Sequence, residues 1–334
     1  MRKALAVTGF LLFFLVPATG SAEKIYTADG KLARYLDLKD SSGKVTDTLK
    51  GISFDNCDGN IILRRRIKYE YRFYRINREK HKFTPLHKGN FTRARCFSDQ
   101  LAAVKKKGKY GYMDRFGEIK IDLEFDFGRT FSNGMASVKK GDNWGYIDTS
   151  GELVVPLEYD LGSDRVVSFN FNDLGLAPVR TLDGKYGLVD RTGQLVFKPE
   201  LEMLRRFSEG LASVKYEGKW GYLTAEGRFY IKPTLAEAGN FSEGMAAVKS
   251  GDKLGYINRK GKLVIDPRFD GASIFTSGLA GVYTEGKWGF IDQKGQIVIE
   301  PQFERVGQFD GDRCKVLKDG VVYFIDKEGN VVGE

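Results

Sequence analysis

From residue 97 onward, apolar positions come in short runs broken by glycine every few residues. The stretch 241–274, FSEGMAAVKSGDKLGYINRKGKLVIDPRFDGASI, shows the pattern. Phe-Ser-Glu-Gly reads as a turn, MAAVK as a short strand and SGD as a second turn. KLGYIN reads as a strand rich in β-branched and aromatic residues. NRKG is a tight turn whose Gly261 is expected at positive φ, closing a hairpin. Gly286, in a more variable turn, is expected to tolerate substitution better. KLVI is a third strand, ended by Pro267, which cannot donate to a ladder.

This pattern recurs. Gly111, Gly145, Gly187, Gly221, Gly255 and Gly289 are separated by steps of 34 residues, with a single step of 42. A second glycine runs in register at Gly117, Gly151, Gly193, Gly227, Gly261, Gly295 and Gly329, and a phenylalanine heads most units (Phe97, Phe131, Phe207, Phe241, Phe275, Phe309). Seven units therefore fill residues 97–334, and a motif present seven times is a structural period before it is a site. The residue opening the tight turn is Asp114, Asp148, Asp190, Asp292 or Asp326 in five units and Thr224 or Asn258 in the others. All three residue types can hydrogen-bond the turn backbone. Only the acid could exchange protons, so the position is architectural.

A period of 34 also suits paired helices, but several glycines and a proline per unit exclude them. The expectation is an all-β fold: tandem 34-residue repeats of three-stranded antiparallel units in an open, curved, solenoid-like array. A closed propeller-like ring is the alternative. The segments NWGYIDTSGELVVP (143–156), KWGYLTAEGRFYIKP (219–233) and KWGFIDQKGQIVIEP (287–301) resemble the bacterial WG-repeat, or KWG-repeat, family. The resemblance rests on Trp144, Gly145, Trp220, Gly221, Trp288 and Gly289 as structural repeat positions. It implies an envelope or exported protein and no particular reaction. Tyr110, Tyr186, Leu254 and Val322 depart from the tryptophan, and Leu123 from the proline. Val322-Tyr323 for Trp-Gly marks the last unit as a terminal cap, which favours the open array. The unit 131–170 carries an insertion near 161–173, read as an edge loop.

Residues 23–96 lack the period and are read as a basic N-terminal β region, a cap or a set of degenerate repeats. IKYEYRFYRIN (67–77) alternates, with Ile67, Tyr69, Tyr71 and Phe73 on one face, as a half-buried strand does. Residues 1–22 read as a signal peptide: Arg2 and Lys3, an apolar run from Leu5 to Val16, then Gly20-Ser21-Ala22. The expected location is exported, periplasmic or extracellular, with no transmembrane segment after signal cleavage. In that oxidising setting Cys57 and Cys96 are a candidate disulfide, two unrelated buried thiols being the alternative. Cys314 falls where other units place Ala102, Ala136, Ala212, Ala246 and Ala280, a slot for a small buried side chain.

Charge changes the picture in one place. The chain is +9 overall, yet residues 61–110 hold sixteen Lys and Arg against three acids, a net of +13. Arg64, Arg65, Arg66, Lys68, Arg72, Arg75, Lys105, Lys106 and Lys107 form a candidate anion-binding patch. For an exported chain the expected partner is an unknown protein or an anionic envelope component rather than nucleic acid. No histidine follows His87, which excludes a Ser-His-Asp set from the repeats. No His/Cys/acid spacing suggests a metal, and no cofactor is implied. A non-enzymatic binding or scaffold protein is the primary reading, and a glycan- or cell-wall-binding lectin-like protein the second. Tyr110, Trp144, Tyr186, Trp220 and Trp288 would serve the second reading if they were exposed. A carboxylate-pair hydrolase is the remaining class.

Overall fold

The described residues of the computed structural model are 5–7, 10–12, 23–24, 35–39, 44–50, 53–57, 60–64, 70–77, 82–161 and 169–332. Among them there is no helix, and from residue 93 onward seven antiparallel sheets follow one another along the chain. Arg65, Arg66, Lys68 and residues 162–168 lie outside the described residues, as do the side chains of Cys57 and Arg64. The chain falls into two compact units, each described here by itself. The first ends at Leu161 and takes in Phe169–Ala177 and Arg191–Gly193. The second comprises Pro178–Asp190 and Gln194–Glu334.

In the second unit the sheet Glu237–Ala238, Met245–Ser250, Lys253–Asn258, Leu263–Phe269 is a four-stranded meander. Five of the seven sheets have four strands, not the three expected from sequence. Apart from Arg93–Ser98 in the first sheet, the extra strand is only two residues long. A strand of that length has no hydrophobic period to betray it. The first sheet accordingly starts at Arg93, four residues ahead of the Phe97 that heads the sequence unit.

The third strand also departs from expectation. Pro267 does not end it. Leu263–Phe269 runs on past the proline, which lies within a register shift: Leu254 faces Phe269 while Tyr256 faces Ile265. The same shift separates Trp144 from Tyr146, Trp220 from Tyr222 and Trp288 from Phe290. Between the Leu254–Phe269 and Tyr256–Ile265 pairs one residue of the middle strand, Gly255, thus opposes three of the outer one, Asp266, Pro267 and Arg268. The bulge accommodates proline because its nitrogen has no ladder partner there.

The bulge explains the glycine after the tryptophan. A Cβ at Gly145 would lie 2.4 Å from the Val155 carbonyl oxygen, at Gly221 2.6 Å from that of Ile231, and at Gly289 2.5 Å from that of Ile299. These glycines are required by close backbone approach, not by a left-handed φ. In the last sheet no bulged strand covers Tyr323 among the described residues, so a side chain fits. The hairpin glycines behave differently. Gly261 has φ +75, as expected, but Gly286 has φ +83, so both positions are left-handed; they differ in that only Gly261 faces a neighbour, Ile231 of the preceding repeat.

Within the second unit, successive sheets bury their faces against one another. Tyr222, Phe241, Ala246, Val248 and Ile257 share one core, and Tyr256, Phe275, Ala280, Val282 and Ile291 the next. Cys314 is buried and free, in line with the buried alanines of the other units.

In the first unit the strands Glu23–Lys24, Ser53–Cys57, Asn60–Arg64, Tyr71–Asn77 and Lys82–Pro85 form a five-stranded sheet. The alternation expected of residues 67–77 meets a limit here. Phe73 and Tyr74 are adjacent and both buried, so the strand is covered on both faces at that point. Phe73 packs against Phe91 and Phe97, joining this sheet to the first repeat.

Candidate functional site

The recurring polar positions hold the fold together. Asp148 Oδ1 accepts the backbone N–H groups of Ser150 and Glu152, and Asp292 Oδ1 those of Lys294 and Gln296. Asn258 makes the same pair of bonds with an amide oxygen. Burial works against the charge on Asp148. Bonds from the Ser150 hydroxyl and from the Glu152, Ser150 and Gly151 backbone outweigh it and hold the carboxyl below its ordinary value.

The repeated aromatics are packed rather than presented. Tyr110, Trp144, Tyr186 and Trp220 are buried, with Trp220 only 8 % exposed, and Trp288 is half-buried. The Arg205 guanidinium lies 4.5 Å from the Trp220 ring centroid and Arg129 5.3 Å from that of Trp144. Trp288 packs on Tyr283 at 5.4 Å. The four buried rings therefore offer no sugar-stacking face.

A tyrosine follows the repeated glycine at Tyr112, Tyr146, Tyr222 and Tyr256, where Leu188 and Phe290 stand in other units; not singled out by the sequence reading, it links neighbouring repeats. The hydroxyl of Tyr222 donates to the Gly239 carbonyl at 2.8 Å, Tyr256 to Ser273 at 2.8 Å, and, in the first unit, Tyr112 to Arg129 at 2.7 Å. Their rings meet the head phenylalanine of the next repeat edge-on or tilted, as in Tyr222–Phe241 and Tyr256–Phe275. Burial drives these phenols well above their ordinary pKa. The signal was a hydroxyl recurring in register at an apolar position.

The basic patch resolves into two sets among the described residues. Arg72 and Arg75 are committed: Arg72 Nε donates to Asn90 Oδ1, and Arg75 donates to the Arg115 carbonyl at 2.8 Å. Lys105 and Lys106 end the strand Leu101–Lys106, where Arg93 of the strand Arg93–Ser98 lies directly opposite Lys105, and Lys107 follows in the turn to Lys109–Asp114. Lys105 rests on the Tyr110 ring at 4.9 Å. Arg93, Arg95, Lys106 and Lys107 are exposed and make no ion pair among the described residues. Residues 82–107 contain seven lysines and arginines against one aspartate, a net of +6. Like charges held opposite each other across a strand pair are unfavourable, so this face is built for an anion or for water. The sequence segment did not separate the committed arginines from the open lysines, because the commitment is made by Asn90 and Arg115, distant in sequence.

Cys96 is disulfide-bonded, and the side chain of Cys57 lies outside the described residues. No cluster of histidine, cysteine and acids suited to a metal occurs among the described residues.

The pattern of tryptophan-glycine, bulge and proline agrees with a family model described as WG containing repeat, which matches residues 88–110, 110–144, 144–186, 186–220, 220–253, 255–288 and 288–321. The chain belongs to the WG containing repeat family. Each match after the first begins at the middle strand of one sheet and runs into the next along the chain. No curated protein sequence matches this WG-repeat chain. Among solved structures it is similar to virginiamycin B lyase from Staphylococcus aureus, at 14% identity over 68% of this chain and 91% of that one, with a TM-score of 0.29. It is also similar to a eukaryotic initiation factor, at 11% identity over 82% and 95%, with a TM-score of 0.35. A third is the C-terminal WD40 domain of Sif2, at 10% identity over 92% and 98%, with a TM-score of 0.33.

Proposed function

We propose that this WG-repeat chain is an exported, non-enzymatic binding protein whose basic hairpin face docks on an anionic component of the cell envelope. The observation that carries the reading is the open set of cations at Arg93, Lys106 and Lys107, which repel one another and lack acidic partners among the described residues. Export is supported by the charged start, apolar run and small residues of 1–22. The acids that recur along the repeats are engaged in turns, which leaves them no catalytic task.

The test is co-sedimentation of the protein with vesicles containing anionic phospholipid. Arg93→Glu/Lys106→Glu/Lys107→Glu should lose binding at low salt while keeping its circular dichroism spectrum. Parent binding should itself fade with ionic strength, as the screening length falls to about 8 Å near physiological salt, chiefly through slower association. Equal binding by parent and triple variant at low and at high salt refutes the reading.

A further inference from the structure

In a repeat chain the exposed positions that depart from the common pattern are the informative ones, and three such departures meet in one cleft. The cleft, about 540 Å³, lies between the first two repeats and is lined in part by Asp99, Gln100, Phe116, Thr149 and Ser150, all within the first unit.

The first departure concerns the bridge between repeats. In two of the later repeats the gap at this place is spanned: Arg259 Nη1 donates to the Glu209 carbonyl at 2.7 Å, and Gln293 Nε2 reaches Glu243. The equivalents here are Thr149 and Asp99. Threonine is too short to span, so the gap stays open. Asp99 keeps the other contact of its class, accepting the Gly134 N–H on Oδ2 at 2.7 Å as Glu243 accepts that of Gly278.

The second departure is Phe116. It is 76% exposed. Its counterparts Ser150, Thr192, Glu226, Lys260, Lys294 and Glu328 are all polar. One face of the ring is backed by the Arg75 guanidinium at 5.9 Å. The third is Gln100, at φ +70 where five other repeats place Gly134, Gly175, Gly210, Gly244 and Gly278. Its neighbour Asp99 is also left-handed, at φ +48. Two consecutive non-glycine residues in this region are costly, and such strain concentrates at binding sites.

We infer that this cleft is a saccharide-binding site, with Phe116 stacking on a pyranose ring and Asp99, Gln100 and Thr149 bonding its hydroxyls. An aromatic ring beside a carboxylate, an amide and a hydroxyl suits a ligand with one C–H face and vicinal O–H groups. Cations do not define the cleft. Lys120 is tied to Asp114 at 3.5 Å and Glu118 at 2.9 Å, and Arg115 is not free. An extended peptide is disfavoured, because the strands Leu101–Lys106 and Lys109–Asp114 are paired on both sides and offer no edge.

The experiment titrates the full chain with three uncharged probes, chitotriose, cellotriose and maltotriose, by saturation-transfer NMR and calorimetry. At least one should bind the parent, without dependence on salt. Phe116→Ser installs the residue of the next repeat, and Thr149→Arg restores the bridging side chain of position 259. Each should weaken binding by about tenfold or more with an unchanged thermal midpoint. Gln100→Gly should raise the midpoint and weaken binding. Failure of all three probes to bind the parent, or undiminished binding in Phe116→Ser or Thr149→Arg, overturns the inference. Salt-sensitive vesicle binding reads the basic face separately, so either result can fail alone.

Discussion

Replacing Gly221 with alanine is the sharpest probe of why these repeats carry a glycine after the tryptophan. A methyl group there would sit 2.6 Å from the Ile231 carbonyl oxygen, 2.8 Å from the Pro233 nitrogen and 3.0 Å from the Lys232 carbonyl carbon. All three are backbone atoms, so no rotamer change relieves the clash. The outer strand itself must move. It is held on either side of the bulge by the Tyr222–Ile231 and Trp220–Leu235 pairs, and Ile231 and Leu235 pack against the core. In an unstrained strand, glycine to alanine would stabilise by about 0.5–1 kcal/mol through the unfolded chain. Overpacking costs ~1–3 kcal/mol, so the sign reverses. Urea denaturation of the full chain should show a lower midpoint. Asparagine separates the two ways of needing glycine, since it tolerates the left-handed region. At Gly218, with φ +76 and no atom within 4 Å of an added Cβ, asparagine should be tolerated. At Gly221 it should be no better than alanine. An alanine variant as stable as the parent, or rescue by asparagine at position 221, refutes the reasoning.

Tyr222→Phe strips the donor from the Gly239 carbonyl and should cost ~1–3 kcal/mol in the same denaturation assay. Trp220→Ala, at a buried ring, should cost ~3–5 kcal/mol, and Trp288→Ala less, because that ring is half-buried. Asp148 has a folded-state pKa below the ordinary 3.8, so its contribution is present above that value and is lost as pH falls through the lower folded one. Asp148→Asn, which copies Asn258, should flatten the acid limb of a stability-versus-pH curve; an unchanged limb counts against the assigned role of the carboxylate.

The seven-fold period, the all-β class and the turn role of the aspartates were legible because each depends on local spacing. What escaped depends on contacts between strands. A bulge that carries Pro267 inside a strand reads, in one dimension, like a proline that ends it. A two-residue strand such as Glu237–Ala238 is too short for alternation to register. The departures at Gln100, Phe116 and Thr149 were visible in the aligned units, but fifty residues separate Gln100 from Thr149's neighbour Ser150, and nothing in the linear order says that they share a cleft. The basic segment showed the opposite failure. Charge density marked it correctly as unusual, yet counted Arg72 and Arg75 with lysines that the fold leaves open.

The two proposed surfaces sit at opposite ends of one hairpin. Leu101 faces Asp114 at the cleft end and Lys106 faces Lys109 at the basic end. Five residues of strand separate them, about 17 Å at the usual rise, roughly twice the ~8 Å screening length at physiological salt. Charge reversal at Lys106 and Lys107 should therefore leave the affinity for an uncharged trisaccharide unchanged, and Phe116→Ser should leave vesicle binding unchanged. Combining the two sets of substitutions should give the sum of their separate effects, as expected for sites that share no partner. The measurement is a double-variant cycle on both readouts. A coupling above about 0.5 kcal/mol in either readout would mean that the hairpin presents a single continuous site, and the partner would then have to be one molecule carrying both the anionic group and the sugar.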